Sequence, residues 1–140
     1  MPAKAVVHAV GPRIPEDSDP SELDRSLLSD CYTNSLKLAA DGGYHSIAFP
    51  AIATGAHGFP IADAAAIACK AVDEFLEDPN NRARIHLVVF CVLADAMGIY
   101  EHVMRLYFPA GSHPLALTPA AESARPPDGG SSDDDSSDDD

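Results

Sequence analysis

Basic residues are scarce in this sequence. Nine lysines and arginines stand against 22 aspartates and glutamates, a formal net charge of −13 over 140 residues. The imbalance is uneven. Residues 128–140 carry seven aspartates and no base, and setting them aside leaves 15 acids against nine bases, a net of −6. A protein that grips phosphate backbones needs a clustered basic surface. None is present, which counts against nucleic acid as a partner. Long apolar runs are also missing: none approaches the roughly 20 residues that cross a bilayer, so no membrane partner is expected. The N-terminus lacks the apolar segment of a signal peptide. Cysteine is sparse, with Cys31, Cys69 and Cys91 far apart and no C-x-x-C pair. They are expected to be buried, reduced thiols in a reducing compartment, cytoplasm or nucleus, and neither nucleophiles nor metal ligands. His8 and His86 are expected in strands and His102 on a helix; their spacing offers no metal site. No cofactor is expected.

A hydrophobic content of 46% in 140 residues permits one domain with a core. "KAVVHAV", residues 4–10, is short and β-branched and closes at Gly11-Pro12, which predicts a strand. Asp19 as cap, Pro20 and Glu22 predict a helix running to about Ala40, with Leu23, Leu27, Cys31, Ser35 and Leu38 on its inner face. Gly42-Gly43 ends it. Residues 45–52, "HSIAFPAI", predict a buried strand. A second helix follows over about residues 61–77, with Ile61, Ala64, Ala68, Ala71 and Phe75 inward and Asp63 near its positive end. "PNNRAR" predicts a turn, residues 85–93 a strand, and 97–107 a last helix ended by Pro109. Alternating strands and helices predict an α/β fold with a mainly parallel sheet. Residues 1–108 form the domain. Residues 109–140 shift to Pro, Gly and Ala and then "SSDDDSSDDD", the composition of a disordered acidic tail. Ser131, Ser132, Ser136 and Ser137 each have an aspartate three residues on, a pattern that suits an acid-directed kinase. The other reading is a solvated charge run.

Between the second strand and the second helix stands "AIATGAHGFP", residues 51–60. In open α/β sheets, ligands bind beyond the carboxyl ends of strands. Gly55 and Gly58 let the backbone turn and approach a ligand, and the N–H groups they free can face an anion beside a helix N-terminus. The Walker lysine is absent, so this is not a nucleoside-triphosphatase loop; a diphosphate held by backbone donors suits it better. Spacing alone leaves anion binding and close packing both open. Thr54 either donates to a phosphate or closes an ST-turn. His57 is a neutral donor, a proton carrier, a packed ring or an exposed loop residue. Phe59 with Pro60 is expected to plug the gap under the loop.

"AVVHAVGP", "LLSDCYTNSLKLAADGGYHSIAFPAIATGAHGFPIADAAAIA" and "IHLVVFCV" closely resemble a macrodomain, especially the MacroD-type branch, over about residues 2–107. The resemblance implies a three-layer α/β/α sandwich that binds ADP-ribose. It places Ala53, Thr54, Gly55, Ala56, His57, Gly58 and Phe59 in the family's diphosphate-binding loop. It also implies a relation to hydrolases that remove ADP-ribose from proteins or deacetylate O-acetyl-ADP-ribose, most of them without a metal. The family pattern begins upstream of "VVHAVGP", so the sandwich is expected to be incomplete. The adenine-reading acid, the asparagine strand end and the loop with the catalytic aspartate have no counterpart here, and the catalytic residues are unknown. Position 57 is His where many relatives have an aromatic, and Leu93 stands where they place one against adenine. A central strand of the family is unmatched between residues 5–10 and 46–52, which predicts unpaired backbone groups and exposed edges that invite self-association. The alternative reading is an inactive remnant that serves as an interaction module.

Overall fold

The computed structural model describes residues 3–109. The acidic tail, including the four serines, lies outside the described residues. Helix α1 (Glu22–Asp41) starts two residues later than Asp19 and Pro20 predict. Ser21 is its cap: the Ser21 hydroxyl accepts from the Asp24 amide at 3.1 Å, and the Asp24 carboxylate accepts from the Ser21 amide at 2.8 Å. Both ends of this box are satisfied, whereas Asp19 makes no such pair, and reciprocal satisfaction of orphan N–H groups decides a helix start. Gly43, at φ 77°, follows the last turn in the left-handed conformation that glycine tolerates.

The next elements are β1 (Ser46–Pro50), α2 (Ile61–Glu77), α3 (Pro79–Arg84), β2 (Leu87–Cys91) and α4 (Ala94–Tyr107). "PNNRAR", expected as a turn, is therefore one short helix, capped by the Asp78 carboxylate on the Asn80 amide. Proline at its first position needs no N–H there, so it helps rather than breaks it. β1 and β2 pair in parallel from Ser46↔Leu87 to Pro50↔Cys91 and form a two-stranded sheet. Residues 4–10 are not a strand. β-branched composition supplies the propensity, but a strand exists only where a neighbour completes its hydrogen bonds. No partner strand lies beside it among the described residues, and Val6 and Val10 are exposed.

Strand alternation divides the sheet into two unlike faces. Ile47, Phe49, Val88 and Phe90 point inward. Tyr32 of α1 meets Phe49 with ring centroids 4.9 Å apart, and Tyr100 of α4 meets Phe90 at 5.6 Å. Such pairs contribute about 0.5–1.5 kcal/mol beyond burial. α2 packs between α1 and α4. Its buried Ala64, Ala65, Ala68, Cys69 and Ala71 are small, which lets the helix backbones approach. Arg25 and Asp63 join α1 to α2 at 3.1 Å. The other face of the sheet carries Leu87, 57% exposed, Val89 and Cys91. The α/β sandwich thus appears as one helical layer on one face of a parallel pair.

Cys91 is exposed and Cys31 half-buried; only Cys69 is fully buried, with burial pushing its thiol up to about 12. The inner face of α1 is Leu28, Tyr32, Ser35, Leu36 and Ala39, while Leu23, Leu27 and Leu38 are exposed. His8 and His86 lie outside strands; His86 precedes β2 and stacks on His45 at 4.8 Å. Tyr100 buries its hydroxyl beside that of Tyr32. Burial pushes both phenols up, Tyr32 well above the usual tyrosine range.

Candidate functional site

Beyond Pro50 the chain folds back on itself. The Thr54 hydroxyl donates to the Ala51 carbonyl at 2.8 Å, so its proton serves a local turn. Ala53 has φ 64°, a left-handed conformation that costs a residue with a side chain roughly 1–2 kcal/mol. Its carbonyl accepts from the Phe59 amide at 2.9 Å, which closes the loop. Gly58, at φ 76°, donates from its amide to the Gly55 carbonyl at 3.0 Å. Phe59 is buried beneath, as expected of a plug.

The two glycines do different work. Gly58 has the positive φ that glycine adopts freely. Gly55 has no such φ, and a Cβ built there would meet nothing within 4 Å; it leaves room.

Three outside contacts hold the loop. The Ile52 amide donates to the Tyr32 hydroxyl at 3.3 Å. The His57 ring, through Nδ1, meets the Gly11 carbonyl at 3.1 Å, and the His57 carbonyl accepts from the Ile14 amide at 2.8 Å. A hollow of about 400 Å³ lies between the loop and the preceding segment, lined by Val10 and Gly11 on one side and by Ala53, Gly55, Ala56 and His57 on the other. Gly11 is required for the close approach: a Cβ there would stand 2.8 Å from the Ala53 Cβ.

Among the described residues, the amides of Gly55, Ala56 and His57 donate to no acceptor. Three consecutive free N–H groups beside a hollow, one turn before the N-terminus of α2, have the donor arrangement of an anion site. Of the seven residues singled out by sequence, four line the hollow. Thr54, Gly58 and Phe59 support it instead, through a turn, a left-handed bend and core packing. Leu93 is exposed and is not part of the lining. Sequence reasoning missed Val10, Gly11 and Tyr32. Gly11 had a signal, because a glycine directly after an apolar run often marks close backbone approach. Tyr32 had none, since its contact joins residues 20 apart in sequence.

Comparison with known proteins places likenesses over much of the chain. Residues 1–68 match the Macro domain family model. The chain is 55% identical over 90 residues to an O-acetyl-ADP-ribose deacetylase of Escherichia fergusonii, covering 64% of this chain and 49% of that protein. It is 39% identical over 110 residues to the ADP-ribose glycohydrolase MACROD2 of Xenopus laevis, covering 78% of this chain and 25% of that protein. Its fold is similar to the Oceanobacillus iheyensis macrodomain with ADP, at TM-score 0.59 and 32% identity, covering 69% of this chain and 48% of the other. The chain spans about half the length of most of these relatives, and a quarter of the longest. In sequence over residues 1–68 and in fold over 69% of its length, the chain is similar to macrodomains.

Proposed function

We propose that this chain recognises ADP-ribose, with the main chain of residues 53–59 receiving the diphosphate. One observation carries the reading: the Gly55, Ala56 and His57 amides are unoccupied beside a hollow of about 400 Å³. The names of the relatives support the ligand, and the free donors support its most charged part. Three charge-assisted bonds at about 1.5–3 kcal/mol each are offset by an association cost of about 4–15 kcal/mol. The dissociation constant is therefore expected nearer ~1 mM than ~1 μM.

Residues 53–59 contain no carboxylate. Any hydrolysis of an ester or glycosidic bond at this loop is accordingly expected to be slow, since positioned acid–base groups supply large factors of rate. Titration calorimetry of the full chain with ADP-ribose, ADP and adenosine tests the reading. ADP-ribose and ADP should give saturable heats in the millimolar range, and adenosine none. Adenosine heats equal to those of ADP would mean that the diphosphate is not what is held.

Self-association is the second part of the proposal. It is supported by the uncovered sheet face with Leu87 and Val89, and by the outer edges of β1 and β2. Light scattering on a size-exclusion column should show a mass above 14.7 kDa that falls when Val89→Lys places a charge on that face. A monomer at all concentrations would end this part.

A further inference from the structure

We propose that His57 is a positioning residue: its ring ties the segment around Gly11 to the diphosphate loop and so sets the width of the hollow between them. The ligand rests on the ADP-ribose reading above; the geometry does not. A carbonyl oxygen only accepts, so the contact of 3.1 Å to Gly11 puts the proton on Nδ1 of His57. In the neutral ring Nε2 is then the bare nitrogen. The carbonyl of the same residue accepts from the Ile14 amide at 2.8 Å. One residue therefore grips two points three residues apart, as a bracket does.

The bracketed segment has few other attachments. Among the described residues no strand lies beside it, and Val10 is 84% exposed. Ile14 anchors one end in the core, and the Cys31 thiol reaches the Val10 carbonyl at 3.4 Å, a weak bond. Val10 and Gly11 nonetheless form one wall of the hollow. What holds that wall against the loop is largely His57. Of the roles open to this histidine, the ring donor is already spent on Gly11, while its own amide N–H is left free with those of Gly55 and Ala56. The ring orders the site and the main chain faces the anion.

Substitutions at 57 separate this role from direct contact. In His57→Asn the amide nitrogen can take the place of Nδ1; in His57→Gln it reaches the place of Nε2; His57→Ala has neither. Calorimetry with ADP-ribose on the full chain should show His57→Ala weakened about tenfold, the effect of one hydrogen bond of ordinary net strength. Asn should recover most of that loss and Gln little of it. A series in which Asn does not outperform Gln overturns the proposal, because a ligand contact through Nε2 would favour Gln. Nitrogen-15 NMR of the wild-type imidazole supplies a readout that needs no ligand and no variant. It should show the Nδ1-protonated tautomer, and the Nε2-protonated form would equally overturn the proposal. If wild type binds no ADP-ribose, the functional reading fails while the tautomer still judges the bracket.

Discussion

Gly55→Val abolishes measurable ADP-ribose binding while the protein stays folded. Position 55 has no positive φ, and a Cβ there meets nothing within 4 Å, so the backbone accepts the side chain. Substitutions that break no packing usually stay within about 0.5 kcal/mol, or roughly 2–4 °C in Tm for a domain of this size. The isopropyl group enters the hollow that Gly55 lines, in front of the three free amides. Displacing even two charge-assisted bonds removes about 3–6 kcal/mol, more than a hundredfold in affinity. Calorimetry and a thermal melt on the same samples check both halves. Equal heats in wild type and variant would place the anion elsewhere. Gly58→Val gives the contrasting result. Its φ of 76° and the Ile14 carbonyl 3.4 Å from the added Cβ make that variant lose stability first and binding only as a consequence.

Phe59→Ala carries the largest expected loss of stability, about 3–5 kcal/mol. Phe59 is 2% exposed and sits where the loop meets the core, and its amide closes the loop on the Ala53 carbonyl. Domains of ordinary stability hold only about 5–15 kcal/mol in total. Among the described residues one sheet face is uncovered, so the variant should be largely unfolded at room temperature. Urea denaturation followed by circular dichroism measures the change in midpoint. Phe59→Leu, which keeps most of the volume, should cost far less. If Phe59→Ala melts like wild type, the loop is not seated on the core, and the free amides lose the support that orders them.

The loop and the second helix show where sequence reading succeeds. Gly55 and Gly58 mark a place where backbone must turn or approach, and both the bend at Gly58 and the open space at Gly55 follow from the missing side chain. Ala64, Ala68, Ala71 and Phe75 repeat at helical spacing and are buried. The first helix shows the limit. Apolar residues lie on more than one side of it, and periodicity finds a stripe without saying which stripe meets a partner. Leu23, Leu27 and Leu38 belong to the side that does not. At its start, Asp19-Pro20 and Ser21-x-x-Asp24 are both sound local signals, and the closed pair of hydrogen bonds chose the second.

Local chemistry, then, was determined by sequence alone: that the two long helices lie on either side of the loop, and that residues 51–60 offer backbone in place of charge. Each of these depends on neighbours within a few positions. The tertiary structure alone decided that, among the described residues, residues 4–10 pair with no strand, one sheet face is open, and certain amides of the loop stay free. Those are outcomes of hydrogen-bond competition between distant parts of the chain, such as His57 with Gly11 and Ile52 with Tyr32. A donor is available to a ligand only if no acceptor of the folded protein has already taken it, and no local pattern records that.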